Sequence, residues 1–224
     1  MAIFSDGFES GDFTAWTSTF GAPTVQSTTK HHGTYAVYLN GNEGCSKTIL
    51  TTAIGYIRAY YYCDTLPGTG GKTVNLLMLT NAAYSYYVTC RINNNVFDLY
   101  LNENGVTTTA SSGITASADT WYCLEFLRDV TNDHAELWIN AVSKTTIDAT
   151  ITNNATLAVC QAYGSGSPTI DIYADCVVVD SAYIGVETAV KKGSSLAATM
   201  TEMLNSKMLF SACNRFPKLT TRRF

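Results

Sequence analysis

The sequence predicts an all-β protein, an antiparallel sandwich of about twelve short strands. Three observations carry that expectation. Residues 55–64 alternate cleanly, with Ile57, Ala59, Tyr61 and Cys63 on one face and Tyr56, Arg58, Tyr60 and Tyr62 on the other. Turn residues recur at intervals of about 8–12 residues, and the links between the runs are too short to cross over to a parallel strand. Charged residues make up only 14% of the chain, whereas Thr, Ser, Asn, Gly and Tyr are plentiful. Surface helices would need more Glu and Lys than that.

Phe4, Phe8, Phe13 and Trp16 are interleaved with Asp6, Glu9 and Asp12 and with Gly7 and Gly11. Aromatics in such a run anchor an edge strand and the loop after it. The carboxylates beside glycines form either a solvated acidic turn or part of an oxygen shell for a hard cation. Residues 24–40 read as two strands around Lys30-His31-His32-Gly33, and Asn40–Gly44 as a turn. A short strand at 45–54 precedes the alternating run at 55–64. Then follow Thr73–Thr80, Tyr84–Ile92 and Val96–Leu101, a meander joined by Asn-rich turns. Val106–Ala110 leads into a Ser/Gly/Ala loop that lasts to Asp119. Trp121–Asp129 and Ala135–Asn140 form a hairpin about Asn132-Asp133. Strands at 142–150 and 156–163, a break at Gly164–Pro168, and a final strand at Ala174–Asp180 complete the body, residues 1–187.

The tail, residues 188–224, differs in kind. It carries seven of the 14 Lys and Arg but one of the 18 Asp and Glu, which leaves it at +6 and the body at −10. Leu196, Met200, Met203, Leu204 and Met208 follow helical spacing behind a Ser194 or Ser195 cap, so one amphipathic helix is expected, for packing, docking or oligomerisation. An acidic body excludes nucleic acid as the natural partner. No apolar stretch reaches the ~18 residues of a membrane span. No apolar leader precedes the first acidic residues, so Sec export is not expected. The seven cysteines lack CxxC spacing, which argues against a zinc module; buried thiols are favoured, with bridges as the alternative. His31 and His32 read as a solvated turn rather than transition-metal ligands, because no third His or clustered Cys lies nearby in the sequence.

Several segments in order have a familiar look: Asp6-Gly7-Phe8-Glu9-Ser10-Gly11-Asp12-Phe13 with Trp16; His32-Gly33-Thr34-Tyr35; Tyr56-Ile57-Arg58-Ala59-Tyr60; Thr120–Glu125; Ala135–Asn140; and Ile172–Asp180. Together they resemble the concanavalin A-like (laminin G-like) jelly-roll sandwiches, which include carbohydrate-binding modules and structural proteins of phages. The resemblance spans residues 3–186 and leaves out the tail. It implies a jelly roll with a structural Ca2+ held by Glu9 and Asp175, completed by carbonyls near Gly7 and around Lys30–Gly33.

Catalysis is not expected. The laminarinase-like members of that superfamily carry a Glu-x-Asp-x-x-Glu or Glu-x-Asp-x-Glu strand that is missing here, and Glu125, Asp129 and Glu136 are the nearest substitutes. No Gly-x-Ser-x-Gly elbow is present. The face bearing Tyr56, Arg58, Tyr60 and Tyr62, joined by Tyr84, Tyr86 and Arg91, is the candidate glycan platform. Cross-strand tyrosines that only stabilise the sheet are the competing reading. The expected role is a non-catalytic recognition or decoration protein of a virion or other surface assembly, associating with itself or a scaffold through residues 188–224. A free-standing carbohydrate-binding module is the alternative, and a polysaccharide-degrading enzyme a more distant one.

Overall fold

The computed structural model describes residues 2–165 and 170–187. The chain divides into two units, Met1–Val186 and Glu187–Phe224. The expected tail helix lies outside the described residues.

Among the described residues, fifteen strands form two antiparallel sheets. They are β1 (Phe4–Asp6), β2 (Ser18–Phe20), β3 (Thr24–Gln26), β4 (Ala36–Asn40), β5 (Glu43–Thr52), β6 (Ile54–Thr65), β7 (Thr73–Thr80), β8 (Tyr86–Asn93), β9 (Val96–Glu103), β10 (Val106–Thr115), β11 (Trp121–Asp129), β12 (His134–Ile139), β13 (Val142–Asp148), β14 (Ala155–Ser165) and β15 (Asp171–Asp180). The first sheet runs β13-β12-β11-β6-β15-β4-β3, with β1 also paired to β15. The second runs β10-β9-β8-β7-β14-β5-β2. The sequence reading gave fewer strands because β2 is only three residues long and lacks an alternation to detect. The loop expected after Ala110 is instead a continuation of β10 to Thr115, with a bulge between Ser111 and Thr115.

The core lies between the sheets. The expected inward set of β6 is buried, Ile57, Ala59 and Tyr61 being almost wholly so, against Leu76, Leu77, Val88, Leu99 and Phe126. Tyr61 is the one polar tip among them, and its hydroxyl donates to the Leu76 carbonyl at 2.7 Å, as a buried phenol requires. Cys45, Cys63, Cys90 and Cys160 are buried free thiols, and Cys123 and Cys176 are buried as well.

The N-terminal run packs as its aromatics dictate. Phe4 meets Trp16 edge-on at 5.0 Å, and Phe8 stacks on Trp16 at 5.8 Å. Asp6 fixes that arrangement by accepting from Trp16 Nε1 at 2.6 Å and from the Phe8 N–H at 2.9 Å. Asp12 caps its own turn, accepting from Ser10 and Thr14. Only Glu9 is left to reach another part of the chain.

At the far edge of the first sheet, His134 opens β12 and its Nδ1 lies 2.6 Å from Asp148 of β13. Its pKa is raised, chiefly by that hydrogen bond. The imidazolium therefore stabilises the fold below the ordinary value of 6.5, and the gain is lost as pH rises through the raised value. Thermal melts of wild type and Asp148→Asn should differ in acid and converge in alkali; equal differences at both would remove the pair from the pH response.

Candidate functional site

Tyr56, Arg58, Tyr60 and Tyr62 do share the outer face of the first sheet, but that face is not an open platform. Glu125, across from Arg58 in register, accepts from the N–H groups of Ile184 and Gly185 at 2.7 and 2.8 Å. This draws the segment after β15 over the sheet. Arg58 is buried beneath it, donating to the carbonyls of Gly185 at 3.1 Å and Cys176 at 3.2 Å. Tyr56 is packed near Trp138 and Tyr183, at 6.1 and 6.3 Å. Tyr60 is buried, with the His31 ring stacked on it at 3.6 Å. Tyr62 is half-buried in a row with Trp121 and Tyr173, its hydroxyl donating to Asp119 at 2.8 Å. A carboxylate in search of amide donors thus closed what the alternation suggested was a tyrosine strip.

Tyr84, Tyr86 and Arg91 do not join that face, because β8 belongs to the second sheet. Nor do they form one set. Arg91 points outward, clamped to Asp98 at 2.6 Å and lying 4.0 Å from the centre of the Tyr100 ring. Tyr86 has the opposite parity, and lines a separate hollow of about 320 Å³ with Leu101 and Glu103. The alternation of Val88, Cys90 and Ile92, all buried, was the signal that separates Tyr86 from Arg91.

The better site was missed by the sequence reading. On the outer face of the second sheet, a groove of about 450 Å³ is lined by Phe20, Asn75, Met78, Tyr84, Tyr87, Gln161 and Tyr163. Bulges place it. The pairing of β7 with β8 slips between Asn75 and Leu77, and that of β14 with β7 slips between Cys160 and Tyr163. Such slips bend the sheet and re-aim side chains. Phe20 and Tyr163 meet edge-on at 6.4 Å, and Tyr84 is exposed with φ of 55°. Burial raises the pKa of Tyr87, so it presents a neutral phenol. Among the described residues the groove is lined by no carboxylate and no cationic side chain. Gln161 is 4% exposed, and its Nε2 has no hydrogen-bond partner among the described residues.

The proposed calcium ligands are brought together. Asp175 is wholly buried, accepting at Oδ2 from the N–H groups of His31 and His32, both at 3.0 Å, and at Oδ1 from Cys176. Burial raises its pKa against those donors. Glu9 takes the N–H groups of Thr34 and Tyr35. Desolvation pushes its carboxyl up, but the donors from Tyr35 and Thr34 outweigh it and hold the pKa below the ordinary range. A Cβ on Gly7 would lie 3.8 Å from Glu9 and 3.9 Å from Asp175, so this backbone runs beside both carboxylates. A Cβ on Gly33 would lie 2.3 Å from Glu9 Oε1. Oxygen-only donors, one of them a buried carboxylate with no cationic side chain bonded to it among the described residues, fit a hard divalent ion.

Two of the three carboxylates considered for catalysis, Glu125 and Asp129, hold backbone amides. Glu125 holds the 184–185 backbone. Asp129 accepts from the Thr131 and Asn132 N–H groups and the Asn132 amide, closing its hairpin. Both histidines are exposed in a run of bends, as expected of a solvated turn; the His31 ring in addition lies over Tyr60, with a ring nitrogen within 4.8 Å of the Cys176 sulfur. The clustered cysteine absent from the neighbouring sequence arrives from the last strand.

These features define an antiparallel jelly-roll β-sandwich. No protein-family model matches the chain, and no curated protein sequence matches it. Among solved structures it is similar to the cellulose-induced protein Cip1, with a TM-score of 0.70 and 18% identity over 82% of this chain and 100% of that one. It is also similar to domain 4 of AbnA, an extracellular arabinanase from Geobacillus stearothermophilus solved with arabinotriose, with a TM-score of 0.61 and 13% identity over 84% and 94% of the two chains. The binding domain of Paraclostridial Mosquitocidal Protein 1 matches with a TM-score of 0.62 and 12% identity over 92% of this chain and 52% of that one. At these identities the likeness is one of fold.

Gly33→Ala tests the clamp between Glu9 and the loop. Its φ is +66° and the added methyl would overlap the carboxylate, so a loss of about 1–3 kcal/mol is expected by denaturant unfolding. A loss near zero would mean that Glu9 does not hold the loop in solution.

Proposed function

We propose that this chain is a non-catalytic carbohydrate-binding protein whose glycan seat is the groove on the second sheet. One observation carries the reading: a buried amide nitrogen without a partner lies at a groove walled by aromatic rings. A sugar ring offers both complements, an apolar C–H face for stacking and hydroxyls that accept from an amide. The volume falls within the range of about 300–1,000 Å³ usual for ligand sites. The absence of ionised side chains in the groove favours a neutral saccharide over a uronate or sulfated one. The arabinotriose complex of the similar AbnA domain lends support to a glycan ligand on this fold.

A glycan array on the full chain, followed by calorimetry on the best hit, tests this. Tyr87→Ala and Gln161→Leu should each weaken binding about tenfold, the size of losing one stacked ring or one hydrogen bond. Equal affinity in both variants, with folding intact by melting, would remove the groove from the function.

We also propose that Glu9 and Asp175 hold a structural calcium ion with backbone carbonyls near Gly7 and Lys30–Gly33. The ion would supply the positive charge that the buried carboxylate otherwise lacks, and would tie the first turn to the last strand. Calcium at about 100 times its Kd would add about 2.7 kcal/mol to folding stability. A rise in Tm with calcium, reversed by a chelator and absent in Asp175→Asn, is the expected result. An unchanged Tm in the wild type would sink the proposal.

A further inference from the structure

The groove on the second sheet runs diagonally over β7. At one end Asn75 lies in register with Tyr163 of β14, and at the other Thr80 lies in register with Tyr87 of β8. Met78 falls between them. β14 and β8 flank β7 on opposite sides, so Tyr163 and Tyr87 are offset both along β7 and across it. At about 3.4 Å per residue and about 4.8 Å between strands, that offset is roughly 15–20 Å.

Each end has its own pair of rings. Phe20 reaches Tyr163 from β2 by crossing β5 at Gly44, which is in register with both Phe20 and Gln161. A Cβ on Gly44 would lie 2.6 Å from Phe20 Cζ and 2.8 Å from Gln161 Cβ, so the bare backbone lets the ring lie over the strand. Phe20 and Tyr163 then meet edge-on at 6.4 Å. At the other end Tyr84, on the turn that joins β7 to β8, lines the hollow with Tyr87. Tyr163 is 49% exposed and Tyr84 46% exposed, so each end is bordered by a ring open to solvent. β2 also ends the path of its sheet, which leaves the way past Phe20 clear of a further strand of that sheet.

One sugar ring cannot touch both ends of a hollow of that length. Two ring pairs call for a sugar unit stacked at each end, with the connecting chain passing over Met78 and Gln161. A site for a chain terminus needs one closed end to fit the last unit, and here both ends carry half-exposed rings. Resting on the glycan reading of the groove, we infer that its ligand is the interior of a linear, uncharged polysaccharide strand, several units long, and not a terminal sugar. The strand leaves the groove past Phe20 on one side and past Tyr84 on the other.

Calorimetry of the full chain with ladders of one to six units from arabinan, xylan, mannan and cellulose provides the test. In a ladder that binds, affinity should climb with added units until the chain spans both ring pairs and then level off, with a gain of about tenfold per stacked end. Tyr163→Ala, at a half-exposed position where the fold is retained, should cost the longest member about tenfold and bring the plateau at a shorter length, with an unchanged Tm. Titration with the parent polymer should seat many protein molecules on each strand. A single sugar that binds as tightly as the longest member, or one protein molecule per polymer strand, overturns the strand-interior reading and leaves the glycan reading standing. No binding by any ladder overturns both.

Discussion

The hydrogen bonds from the His31 and His32 amides to the buried Asp175 carboxylate hold the rest of the site region in place. A carboxylate with no exposure must be met by donors, and here the donors come from a loop about 140 residues earlier in the chain. Meeting them brings that loop over the end of β15. Glu9 then binds two further amides of the loop, at Thr34 and Tyr35, so the N-terminal turn is fixed to the same place. The seating of the His31 ring on Tyr60 goes with the loop held by Asp175, while Asp6 sets the packing of Phe8 on Trp16.

The parts of this arrangement that were legible in the sequence are those set by local periodicity. The inward and outward sets of β6 and the limits of β11 follow from alternation, which each strand carries within itself. Glu9 and Asp175 were found through a resemblance rather than a period. What was not legible depends on pairing between distant strands. Nothing local to β8 says that it lies in the sheet opposite β6, and so Arg91 was grouped with tyrosines it never meets. The groove depends on two bulges, at Asn75–Leu77 and Cys160–Tyr163, whose effect is to tilt Met78 and Gln161 to one hollow. A bulge is an irregularity of register, and a period-2 reading has no means to see it. Glu125 shows the same limit from the side of chemistry: nothing local to it tells that its partners are the Ile184 and Gly185 amides, some sixty residues on.

The two outer faces of the sandwich have taken different chemistry. The second sheet carries an uncharged hollow of rings and amides. The first carries charge that is balanced in place, with Glu125 against backbone amides and Arg58 against carbonyls. Recognition of a neutral, hydroxylated surface suits the former. The latter holds the segment that crosses it.

The last two strands in the chain are inserted in the middle of the two sheets. β14 separates β7 from β5, and β15 separates β6 from β4 while also pairing with β1. Neither sheet can therefore close before residues 155–180 have been synthesised. Until residues 155–180 emerge, β4, β5, β6 and β7 each present an unpaired edge, and each is a template for the wrong partner. Most native pairings join residues far apart in sequence, a topology whose folding falls in the slow range of about milliseconds to seconds. The strand that seals the first sheet also carries Asp175, so the sealing of that sheet and the docking of the early loop depend on the same segment.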